Sequence, residues 1–107
     1  MKLVKAADNT GEVLKSEGGN VEFRPIVKER HILANVVSIF PRAEVYGENH
    51  KHDDHEMLYV ISGDGIIYSG KKATAFESGD TVVFEPNEPH WFAFGNAGAK
   101  VLELKWM

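Results

Sequence analysis

The chain has no cysteine among its 107 residues. That absence excludes a disulfide framework, a thiolate metal site and a cysteine nucleophile. Runs of lysine or arginine are missing too. With a formal net charge of −4, nothing offers a phosphate-neutralising stripe to a nucleic acid. No apolar run reaches the length of a membrane span, and the opening "MKLVKAADNTGEVLKSEGG" lacks the apolar core of a secretory signal. The expectation is a cytoplasmic protein that binds neither nucleic acid nor membrane. Helical periodicity over three turns is also lacking. Proline is scarce, and two of the four, Pro86 and Pro89, stand together in "EPNEP".

What is present reads as β-structure. A chain of this length, 43% hydrophobic, fits one domain over residues 1–107 with a real core. After a polar start, expected to be irregular over about residues 6–20 with Gly11, Gly18 and Gly19, come short β-rich runs. They are "VEFRPIV", "HILANVVSIF", "HEMLYVIS", "GIIYS", "ATAF", "TVVFE", "HWFAF" and "KVLELKW". Turn-like segments separate them, "SGDG" at 62–65, "SGKK" at 69–72 and "ESGD" at 77–80 among them. This spacing predicts an all-β fold, an antiparallel barrel or sandwich. Alternation puts His90, Phe92 and Phe94 on one face, and splits Leu102, Leu104 and Trp106 from Val101, Glu103 and Lys105. "HILANVVSIF" is apolar on both parities and therefore predicts burial on both faces. One face would meet the core. The other would meet either a second subunit, making a homodimer, or the N-terminal segment.

The densest chemistry lies in "ENHKHDDHE", residues 48–56. Metals of the zinc and iron type take imidazole nitrogens and carboxylate oxygens converging at about 2 Å. His50 and His52, two apart in an extended segment, point the same way, and Glu56 follows at the same parity. A fourth ligand must come from a distant strand, and His90, behind the stiffened "EPNEP" loop, is the candidate.

At these residues the chain resembles the cupins, small β-barrels of jelly-roll topology built from two antiparallel sheets. The first cupin motif, G-x5-H-x-H-x3-4-E-x6-G, is matched in its spacing by His50, His52, Glu56 and Gly63. The second, G-x5-P-x-G-x2-H-x3-N, is matched at Gly79 and His90. The likeness spans about residues 36–96. Four positions depart from it: Glu44 stands for Gly, Glu85 for Pro, Asn87 for Gly and Phe94 for Asn. Gly47 stands near enough to Glu44 to make the turn there, and Asn tolerates a left-handed backbone better than most residues. None of the four is a ligand position.

Among the other candidates, His55 has the opposite parity to Glu56 and reads as a surface residue or an outer donor. His31 reads as structural or exposed, and Asp53 as a solvated loop residue. Asp54 is a candidate to orient an imidazole. Leu58, Val60, Phe92 and Phe94 are candidates for a substrate-pocket wall; Tyr46, Glu48 and Tyr68 are weaker candidates for its polar groups.

The resemblance implies one divalent ion per chain (Fe, Mn, Zn, Ni or Co) with one or two coordination positions left open for a small molecule. The expected function is a metal-dependent enzyme acting on a small oxygen-rich metabolite, of isomerase, lyase or hydrolase type. An iron-dependent dioxygenase and a non-catalytic binding or sensor module are the alternatives, because a fold alone does not name a reaction.

Overall fold

The computed structural model describes residues 1, 3–9, 11–16, 19–45 and 50–107, with backbone alone at 12–16 and 19–20. Apart from one 3-10 turn, Ala6–Asp8, its regular elements are strands. They are β1 (Glu12–Ser16), β2 (Gly19–Glu29), β3 (Ile32–Ile39), β4 (Glu44–Val45), β5 (His55–Ser69), β6 (Lys72–Glu77), β7 (Thr81–Phe84) and β8 (Trp91–Trp106). Every ladder between them is antiparallel.

Two long strands organise the molecule. The first part of β5 and the last part of β8 pair with each other and with β7 and β3, and β3 continues to β2 and β1. The last part of β5 and the first part of β8 pair with β6 and β4. Two sheets thus share the same pair of strands, as in a jelly-roll barrel. The change of sheet falls where the register shifts, at Val60/Ser62 and Gly63/Gly65. A bulge bends and twists its strand there. Gly63 makes it sterically possible: its φ is 98°, and an added Cβ would lie 2.3 Å from the carbonyl oxygen of Gly98.

Several sequence expectations are corrected by this arrangement. "SGDG" is not a turn between two strands, because the glycines serve a bulge inside β5. "HWFAF" and "KVLELKW" are likewise one strand, β8. Part of the polar start is β1, hydrogen-bonded along β2. An edge strand needs backbone pairing rather than an apolar stripe, so periodicity did not mark it.

The core lies between the sheets and contains Val37, Ile39, Val45, Leu58, Val60, Ile67, Phe76, Phe84, Phe92, Phe94 and Val101. "HILANVVSIF" buries one face into it, through Asn35, Val37 and Ile39. Its other face is covered only in part: Ala34 is buried, Val36 intermediate and Ile32 exposed. That outer face continues across the registers. Ile32 lies beside Trp106 and His55, Ala34 beside Leu104 and Met57, and Val36 beside Leu102 and Tyr59.

Candidate metal centre

One end of the sandwich gathers the start of β5, the end of β8 and the loop from β7 to β8. His50 and His52 stand in the segment before β5, and His90 ends the loop. Two backbone hydrogen bonds tie these together: Asn87 N donates to His52 O at 2.6 Å, and His90 N donates to His50 O at 3.0 Å. Asn87 makes that geometry with φ 64°, the left-handed conformation its motif position demands. The Phe84 ring stacks on the His90 imidazole, with centroids 4.0 Å apart, and fixes its plane.

The three imidazoles offer ligand nitrogens lying within 4.8 Å of one another, a group suited to holding a metal ion. Two of their outer nitrogens are tethered. His90 Nδ1 donates to Glu88 O at 2.8 Å, and His52 Nδ1 meets the Asp54 carboxylate. Donation from Nδ1 leaves the lone pair on Nε2. His52 Nε2 and His90 Nε2 each face an oxygen of Glu56, both at 3.4 Å, longer than a well-formed hydrogen bond. Glu56 is 0% exposed, and neither of its oxygens has a hydrogen-bond partner among the described residues. Two imidazole nitrogens and a buried carboxylate this close together can share one cation among them. The donor set therefore fits a divalent ion taking imidazole and carboxylate ligands.

The electrostatics agree. Burial lowers His50 to a pKa of about 4, helped by the neighbouring His90 and His52, so it is neutral at pH 7 as coordination requires. Burial alone would raise Glu56; His90, Lys105 and His52 outweigh it and hold the carboxyl below its usual range.

Other predicted residues fall as follows. Asp54 orients His52. His55 stacks on Trp106 outside the site and lies 3.5 Å from Glu85. His31 and Asp53 are exposed. Tyr68 stacks on Trp91. Tyr46, Gly47 and Glu48 lie outside the described residues. Leu58, Val60, Phe92 and Phe94 are buried core around two voids of only about 10 and 20 Å³. A larger depression, about 170 Å³, adjoins the site and is lined by residues 28–33, Asp54, Lys105, Trp106 and Met107.

Three polar side chains near the candidate ligands were not singled out from the sequence. Lys105 Nζ is 3.6 Å from Glu56 Oε2. Glu103, 3% exposed, accepts a 2.7 Å hydrogen bond from buried Asn35. The alternation of β8 separated Glu103 and Lys105 from the leucines, but gave no sign that the charged side faces inward.

A two-sheet antiparallel barrel with histidines gathered at one end defines the class. The chain belongs to the cupin domain family, whose model matches residues 36–107. It is 32% identical over 62 residues to the acireductone dioxygenase of Aquifex aeolicus, covering 53% of this chain and 34% of that one. The chain thus spans about a third of the length of this curated relative. Among solved structures, it resembles an RmlC-like cupin from Shewanella frigidimarina, with a TM-score of 0.81 at 16% identity over 99% of this chain and 90% of that one. A cupin-like protein from Thermotoga maritima matches with a TM-score of 0.76 at 25% identity, over 90% and 77% of the two chains. No helix of the described residues is long and apolar enough to cross a membrane.

Proposed function

We propose that His50, His52, Glu56 and His90 hold one divalent ion and that the protein is a metal-dependent enzyme acting on a small oxygen-rich metabolite. The observation that carries this reading is the buried Glu56 carboxylate with the Nε2 atoms of His52 and His90 each 3.4 Å from it, beside three imidazoles whose ligand nitrogens lie within 4.8 Å of one another. A bound ion supplies Lewis acidity or, if it is iron, redox chemistry. The chain's own residues hold the site ready: Asp54 and the Glu88 carbonyl fix two imidazole tautomers, and Phe84 fixes a ring plane. Isomerase, lyase and hydrolase chemistry all suit such a site. The dioxygenase reading gains from the likeness to acireductone dioxygenase.

Elemental analysis of protein purified without added metal tests the reading. One divalent ion per chain is expected, lost in His52→Ala and His90→Ala and retained in His55→Ala. A site emptied by His55→Ala but not by His52→Ala would sink this ligand assignment. Oxygen uptake by the iron-loaded protein with enediol or hydroxy-acid substrates separates the dioxygenase from the oxygen-independent reactions.

A further inference from the structure

Lys105 is opposite Glu56 in the β5–β8 register, so both side chains enter the site from adjoining strands. Its ammonium lies 3.6 Å from Glu56 Oε2, and its side chain keeps 21% exposure. The same residue lines the 170 Å³ depression beside the site. Lys105 thus touches both the carboxylate that would hold an ion and the edge of a space where a ligand has room, although none of the four proposed ligands lines that space.

Charge decides what that space favours. The imidazoles contribute nothing when neutral, and the one negative charge of Glu56 is matched by Lys105. A divalent ion added to this set leaves the centre at two positive charges, or one if Glu103 is ionised. Either count leaves a partly desolvated positive centre, which attracts an anion. Farther out, Lys28 and Arg30 reinforce it, while Glu29 and Asp54 oppose it. These four charges cancel in number, so the preference for an anion rests on the centre itself, and a depression of about 170 Å³ limits it to a small one.

From this we infer that Lys105 is the residue that selects the ligand, and that the ligand is a small carboxylate able to reach the ion as well, such as a 2-hydroxy or 2-oxo acid. The inference deepens the metal-centre reading and rests on it. Lys105 acts here as a specificity residue: its ammonium binds one ligand oxygen by a charge-assisted hydrogen bond. It is not a ligand of the ion.

The test uses cobalt(II)-loaded protein, whose visible absorption reports ligands arriving at the metal. Glycolate and oxalate serve as anionic probes, and imidazole as a neutral one. Lys105→Met should bind cobalt at the wild-type ratio and imidazole within about twofold of wild type. Its affinity for glycolate and oxalate should fall by about tenfold or more, the low end of what a hydrogen bond to a charged group contributes. Lys105→Arg, which keeps the charge, should retain most of the oxalate affinity. If Lys105→Met binds oxalate as wild type does, or weakens imidazole and oxalate alike, the inference is overturned while the metal centre stands. If wild-type protein takes up no cobalt, the metal reading falls and this inference with it.

Discussion

Glu103 is a carboxyl in the interior, with Asn35 as its hydrogen-bond donor and the Glu56 carboxylate nearby. Burial raises its pKa, and the Glu56 charge raises it further, against the pull of Lys105 and Asn35. A folded-state pKa above the unfolded value means that the group's stabilising contribution is complete below about pH 4.5. It is lost as pH climbs through the folded value. Glu103→Gln keeps an acceptor for Asn35 and removes the ionisation. In metal-free protein its melting temperature should therefore rise relative to wild type as pH goes from 5 to 8. Each pKa unit is about 1.4 kcal/mol. For a domain of this size, each kcal/mol is about 4–8 °C. A difference in melting temperature that stays flat across that range would show Glu103 to be ordinary. At this scale the four proposed ligands were legible because their spacing is specific. Lys105, Glu103 and Asn35 were not. Hydrophobicity alone would send Leu102, Leu104 and Trp106 inward, whereas the structure buries Val101 and Glu103 and leaves those three only partly covered.

The loop from β7 to β8 shows how an element positions chemistry. It carries His90 into the site while its Asn87 amide bonds the segment that carries His52. A β-branched residue at Asn87 would resist the left-handed backbone, at about 1–2 kcal/mol. Asn87→Val should lower both the melting temperature and the metal content, and Asn87→Gly should preserve both. Equal metal content in the two variants would show that the loop holds His90 without help from this backbone conformation. The left-handed turn was readable, since Asn replaces a motif glycine. The bulges in β5 were not, because glycine clusters mark turns and bulges alike and only the packing of β8 against Gly63 tells them apart.

For the whole molecule, the outer face of β3, β8 and β5 is the feature that one chain leaves unsettled. Ile32, Val36, Leu102, Leu104, Met57 and Tyr59 form an apolar grid there, with Ile32 and Tyr59 exposed. We propose that a second copy covers it, since a two-fold contact buries the same patch on both partners at once. Light scattering at tens of micromolar should give about twice the 11.9 kDa of one chain, falling toward one chain in Tyr59→Lys. A wild-type mass of one chain would end the proposal. The sequence pointed to this face through the double apolar parity of "HILANVVSIF"; the strands that join β3 in it could be named only once the registers were known.

The sharing of β5 and β8 between the two sheets also bears on how the molecule forms. Neither sheet can be completed without both strands, and their pairing joins His55 to Trp106, about half the chain apart. Loop closure over such a span comes before most of the reward for it, which places the chain among slow, non-local folders. The histidines of the site lie on segments that converge only when that closure is made. A metal ion can therefore meet a competent binding site only late in folding, and until then the apolar residues of these strands stay open to other chains.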